Sequence, residues 1–281
     1  MTELRQRMIN DLTLNGKSKN TIESYVDAVC LLARYYKRSP DLLSEEEIRQ
    51  FFLHQINVKK LARSTITQYL CGIKFFYEKC LKRKWQLFDL IRPKKGQKLP
   101  IVFSIEEVRR ILRIVEKPIP KMALTVIYSC GLRLSEGCNL KVRDIDGDRR
   151  LIRIEDGKGG DDRIIPIPRR TLELLRSYWD HHRPKPHLFP GTHNPKRPIP
   201  DGSLQSLFKI ALAQSNITKK GSMHSLRHSY ATHLLEKGIP LRVIQKILGH
   251  KNVQTTQIYT HLTEETVDSV YPTLDALMAD L

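Results

Sequence analysis

Residues Met223–Tyr259, MHSLRHSYATHLLEKGIPLRVIQKILGHKNVQTTQIY, decide how this chain is read. His224 and Arg227 stand three residues apart, a spacing that puts them on one face of a helix. His250 sits at a Leu-Gly-His stop, and Tyr259 follows nine residues later. Two imidazoles and a guanidinium around a phenol suit attack on a phosphodiester. The cations would take the phosphoryl oxygens and the hydroxyl would be the nucleophile.

Towards the N-terminus, Gly131-Leu132-Arg133-Leu134-Ser135-Glu136 adds a second arginine, and Gly157-Lys158-Gly159-Gly160 adds a lysine in a glycine turn. Arg133, Lys158, His224, Arg227, His250 and Tyr259, in this order, match a known set. The chain resembles the tyrosine recombinase (phage integrase) family, and among its branches most resembles the bacterial Xer-type and integron-type enzymes. The likeness spans nearly the whole sequence. It implies a mainly α fold with a small antiparallel β-sheet: an N-terminal helical, SAM-like core-binding bundle and a C-terminal catalytic domain of the DNA breaking-rejoining type.

The resemblance assigns roles. Tyr259 attacks the scissile phosphate and forms a 3′-phosphotyrosyl link, leaving a free 5′-hydroxyl. Arg133 and Arg227 clamp the non-bridging oxygens, for which a forked, permanently charged guanidinium is suited. Lys158 protonates the leaving 5′-oxygen, although a glycine-flanked lysine also reads as an ordinary exposed turn residue, and Arg163 is the nearest substitute. His224 takes the tyrosine proton and His250 donates to a phosphoryl oxygen. Glu136, one turn after Arg133, either orients a catalytic side chain or forms an exposed ion pair. His228 and His233 lie nearby, but no carboxylate or cysteine stands at ligand spacing, so neither a metal nor a nucleotide cofactor is expected.

Composition agrees with a polyanionic partner. Among 281 residues, 48 Lys and Arg against 30 Asp and Glu give a net charge of +18, for which nucleic acid is the default partner, and the resemblance implies that it is double-stranded DNA. A ribosome-associated basic protein would share the charge but not the constellation. Residues 1–98 hold 20 basic and 10 acidic side chains, and the remainder 28 and 20, so both halves can meet phosphates. The five cysteines show no paired or zinc-type spacing and suit a reducing cytoplasm. The N-terminal MTELRQRMIND lacks an apolar signal core, and no apolar run is long enough to span a membrane.

The first domain, residues 1–90, is expected to be helical. Cap residues at Ser18–Thr21 precede Ile22, Tyr25, Val26, Val29, Leu32 and Ala33 at helical spacing. Ser44-Glu45-Glu46-Glu47 is a capping-box start, with Ile48, Phe51, Phe52 and Ile56 behind it. Ser64 opens a third helix through Ile66, Tyr69, Leu70, Ile73, Phe76 and Tyr77, with Arg63, Ser64 and Thr65 as candidate DNA contacts. Residues 91–100 form a basic linker in which Lys94, Lys95 and Lys98 are candidates to cross the DNA backbone.

The catalytic domain, residues 101–281, opens on a second capping box at Ser104–Glu107, with helices to about Asn139. Leu151–Ile154 and Arg163–Ile167 read as a hairpin with Lys158 at its tip, and Pro184–Pro200 as a surface connection. Val267, Val270, Leu274, Leu277 and Met278 form an apolar stripe that can pack on its own domain. In the family such a tail docks on a neighbouring protomer, so the resemblance implies a tetramer on two duplexes, with or without a partner recombinase. A type IB topoisomerase and a DNA-binding relative without catalysis are the rival readings.

Overall fold

The computed structural model describes residues 2–91, 100–155, 162–249 and 270–279. The chain divides into two compact units, Met1–Lys98 and Leu99–Leu281.

The first unit is built from α1 (Glu3–Leu14), α2 (Lys19–Tyr36), α3 (Glu45–Leu53), α4 (Arg63–Phe75) and the short α5 (Leu87–Leu90). Ser18 caps α2, its hydroxyl accepting from the Thr21 N–H at 3.4 Å. Ser44 and Glu47 form a reciprocal capping box on α3, at 3.3 and 2.8 Å, satisfying two of the N–H groups that a helix start leaves over. Helix α4 begins at Arg63, one residue before the expected Ser64, with Ala62 in the cap position. Helices α2 and α4 cross closely because residue 72 is glycine. A Cβ there would stand 2.9 Å from the Tyr25 backbone.

The anticipated apolar stripes largely meet in one core, which includes Val26, Leu32, Ile48, Phe51, Phe52, Ile66, Ile73, Phe76 and Tyr77. Ile56 departs from it and is 42% exposed. The cause is a π-turn, His54–Val58, that ends α3. Its extra residue shifts the helical phase, so that Gln55 turns inward and Ile56 outward.

In the second unit the Ser104–Glu107 capping box starts α6 (Ile105–Ile114), at 3.2 and 2.7 Å. Helix α7 (Pro118–Ser129) is apolar nearly all round and runs through the core, with Ala123, Leu124, Val126, Ile127 and Tyr128 buried. Around it lie α8 (Leu134–Asn139), α9 (Arg169–His182), α10 (Asp201–Gln214), α11 (Met223–Glu236) and α12 (Leu241–Leu248). Three antiparallel strands, β1 (Ile145–Asp146), β2 (Leu151–Ile154) and β3 (Arg163–Pro166), lie in that order, with Ile152 opposite Ile165 and Ile154 opposite Arg163. The β2–β3 pairing is the expected hairpin; Lys158 lies outside the described residues.

Residues 184–200 are more than a surface connection. Leu188, Phe189 and Ile199 are buried, and the segment is pinned by bridges between Lys141 and His187 and between Pro190 and Pro198. Leu188 and Phe189 pack against α9, where the Tyr178 hydroxyl donates to Leu188 O at 2.9 Å and its ring centroid lies 5.9 Å from that of Phe189. The C-terminal stripe folds as α13 (Tyr271–Met278) on its own domain, burying Val270, Leu274, Leu277 and Met278. Asp275 accepts from Arg150 at 2.7 Å and from the Arg169 N–H at 2.6 Å, which fixes the helix from the outside. Among the described residues no helix is long and apolar enough to cross a membrane.

Candidate active site

The site begins where α7 stops. Gly131 has φ +60°, and an added Cβ would lie 2.4 Å from the Tyr230 ring and 2.9 Å from Leu248. Only glycine turns the chain here while letting Tyr230 press against it. The turn delivers Arg133 to the cap position of α8. Gly131→Ala is therefore expected to destabilise the protein by about 3 kcal/mol, roughly 1 from the left-handed backbone and ~2 from overpacking. A urea midpoint compared with wild type checks this; an unchanged midpoint would mean that Tyr230 moves aside freely.

One turn along α8, Glu136 gathers the arginines. Its carboxylate accepts from the Arg133 N–H at 2.7 Å and from Arg133 Nη1 at 2.6 Å. Arg163 adds a two-pronged pair, Nη1 to Oε1 at 2.8 Å and Nη2 to Oε2 at 2.6 Å. Arg227 Nη1 stands 3.9 Å from Oε2. Burial alone would raise the Glu136 pKa, but hydrogen bonds from Arg163 and from the Arg133 N–H outweigh it and hold the carboxyl at about 2. Glu136 is thus a buried carboxylate, 8% exposed, and its ion pair with Arg133 is not the exposed one of the second sequence reading.

Helix α12 supplies the opposite wall. It ends at Gly249, in the left-handed conformation (φ +63°), and its last carbonyls would lack partners within the helix. Each is taken by a different arginine. Ile247 O accepts from Arg163 Nε at 3.1 Å, Leu248 O from Arg227 Nη2, and Gly249 O from Arg133 Nη2 at 2.8 Å. The negative end of a helix is a favourable seat for cations.

Arg227 is the deepest of the three, 2% exposed, with Nη1 also bonded to Gly131 O at 2.8 Å. Burial, with Arg133 beside it, lowers the Arg227 pKa to about 9, so the guanidinium keeps its charge at neutral pH. Its Nε is buried and has no hydrogen-bond partner among the described residues. Three arginines around one carboxylate leave the cluster with a surplus of positive charge.

His224 lies one turn before Arg227 on α11, exposed, with its ring edge-on to His228 at 4.4 Å between centroids. Burial and then Arg227 lower the His228 pKa. His233 faces the core, where its Nδ1 pairs with the Tyr128 hydroxyl at 2.9 Å. Two other tyrosines are accounted for. Tyr230 is buried, and burial pushes its phenol pKa far up. The Tyr271 hydroxyl donates to Arg149 O at 2.8 Å, with Arg150 stacked over its ring.

The structure thus brings together Arg133, Glu136 and Arg227, with His224 one helical turn away. Lys158, His250, Tyr259, Lys94, Lys95 and Lys98 lie outside the described residues. Arg63 and Ser64 are exposed and Thr65 half-buried at the start of α4, in the first unit. Arg163, in sequence the nearest substitute for Lys158, has its guanidinium bonded to Glu136 and Ile247 O. Its signal was in the strand alternation: residues 163, 165 and 167 share a face, and Ile165 and Ile167 are buried. An arginine on that face must have an anion inside.

Guanidiniums gathered at a helix end with positive charge to spare make a site chemically suited to an oxyanion. The chain belongs to the phage integrase family, which residues 102–266 match; residues 4–87 match the family's N-terminal SAM-like domain. An integrase/recombinase of Sinorhizobium fredii is 40% identical over 268 residues, 95% of this chain and 87% of that one. The tyrosine recombinase XerA of Pyrococcus furiosus is 32% identical over 266 residues, 93% and 90% of the two chains. The fold is that of a lambda integrase solved as a tetramer bound to a Holliday junction (TM-score 0.70, 18% identity, 92% of this chain and 80% of that one).

Proposed function

We propose that the protein is a site-specific tyrosine recombinase, which cuts and rejoins duplex DNA through a 3′-phosphotyrosyl intermediate and a Holliday junction. The observation that carries this reading is the Arg133–Glu136–Arg227 cluster on the end of α12, beside Gly249 and directly before His250 in the chain. A phosphodiester approaching it gains two guanidiniums as its charge builds, which is where electrostatic catalysis has its largest effect.

Tyr259 is the nucleophile in this reading, His224 and His250 handle protons around the phosphate, and Lys158 protonates the 5′-oxygen. The other roles follow from the basic surfaces. Arg63, Ser64 and Thr65 on the first domain and Lys94, Lys95 and Lys98 in the linker contact DNA phosphates. Four protomers pair two sites, and the reaction runs in the cytoplasm without metal or nucleotide. The phosphotyrosyl link keeps the energy of the broken phosphodiester, so rejoining needs no external source.

The test is covalent trapping on nicked suicide DNA carrying the flanks of the encoding gene, with EDTA and without ATP. A protease-sensitive adduct on the 3′ phosphate is expected. DNA binding without any adduct, on every flank tried, would favour a DNA-binding relative that has lost catalysis.

A further inference from the structure

Arg163 belongs to the same cluster as the arginine pair, but it has a different exposure and different partners. Its side chain is 9% exposed, between Arg227 at 2% and Arg133 at 21%, and all three of its nitrogens are bonded to Glu136 and Ile247, whereas Arg227 Nε has no partner among the described residues. It therefore has little left to offer a substrate. What it changes is the state of Glu136. One carboxylate faces three guanidiniums, and Arg163 covers both oxygens. Arg133 is left with a single side-chain bond to Oε1, and Arg227 is kept at 3.9 Å.

We infer that Arg163 is a positioning residue that saturates Glu136, so that this carboxylate orients Arg133 and Arg227 without drawing them away from a phosphate. Without Arg163, both oxygens of a buried anion regain acceptor capacity. The nearest cations are the two arginines, and a buried carboxylate left with Arg133 as its one close charged partner draws them more strongly. Turned inward, they lose their alignment for the oxyanion. Arg163 also ties β3 to the end of α12 through Ile247 O, and a Cβ at Gly249 would come within 2.9 Å of its side chain. The two walls of the site thus close on this one residue.

The inference rests on the recombinase reading, and suppression tests it. Arg163→Met, Glu136→Gln and the double variant are compared with wild type in single-turnover adduct formation on nicked suicide DNA. Thermal melts and DNA binding are followed in parallel. Arg163→Met is expected to slow the adduct about a hundredfold, the loss typical of one misplaced donor in a transition-state clamp. Adding Glu136→Gln should recover about tenfold of it, because a neutral amide no longer pulls the arginines inward. A purely structural role predicts that the adduct rate recovers only in step with the melting temperature, since removing the Glu136 charge also relieves the stranded anion; the positioning role predicts recovery of rate beyond that of stability. Should Arg163→Met fail to fold, Arg163→Lys serves in its place. It keeps the charge but covers one oxygen, and the same rescue by Glu136→Gln is expected. An active wild type with a double variant that gains no rate over the single one, or gains it only in step with stability, would overturn the inference alone. A wild type that forms no adduct would overturn the recombinase reading and this inference with it.

Discussion

Tyr259→Phe is expected to form no covalent adduct with suicide DNA, while its affinity for the intact site should stay within about twofold of wild type. The substitution removes one oxygen and nothing else that packs, so binding through phosphate contacts elsewhere is preserved. Without that oxygen there is no bond to the 3′ phosphorus, and the rate falls to the background of spontaneous hydrolysis. The two tyrosines nearest to Tyr259 in the sequence are poor replacements. Tyr230 is sealed against Gly131 with its pKa driven up, and the Tyr271 hydroxyl is committed to the turn at Arg149. Residual adduct at more than background in Tyr259→Phe would move the nucleophile to another residue, which mapping of the DNA-linked peptide would then identify.

Arg227→Ala has the second largest effect, and it acts on both stability and rate. The alanine leaves Gly131 O and Leu248 O buried without their donor and opens a cavity beneath the cluster. Each orphaned carbonyl costs about 1–3 kcal/mol, so a total loss of about 4 kcal/mol is expected in a urea melt. Arg227→Lys separates the two effects. An ammonium fills most of the space and keeps the charge, but it cannot reach both carbonyls and a phosphate oxygen together. It should fold with a smaller loss, about 2 kcal/mol, yet cleave at least about a hundredfold more slowly. A lysine variant that cleaves at the wild-type rate would mean that charge alone, and not the forked geometry, is what this position supplies.

The sequence was most legible where chemistry needs a fixed local spacing. His224 and Arg227 at i and i+3, Glu136 three after Arg133, and the two capping boxes could be placed without tertiary information, because one helical turn determines them. What escaped notice depended on contacts between distant segments. The bonds from Arg133, Arg163 and Arg227 to the end of α12 involve backbone carbonyls, which carry no side-chain signature. The inward face of Arg163 was written in the alternation of β3 but was masked by its closeness to the glycine turn. Ile56 was misplaced because periodicity assumes 3.6 residues per turn and the π-turn breaks that count. The proline-rich 184–200 segment was read by composition, which does not register that Leu188, Phe189 and Ile199 have a core to enter.

The end of α12 has a further bearing on the reaction. Three long, rotamer-rich side chains are held by Ile247, Leu248 and Gly249 before any DNA arrives. Ordering such chains at the moment of binding would cost about 0.5–1.5 kcal/mol each. Here that entropy is already lost during folding, to a helix end that needed donors in any case. In the reaction proposed above, the scissile phosphate meets a preordered cradle, and the binding energy of the rest of the duplex is left free for bending the DNA and bringing a second one alongside.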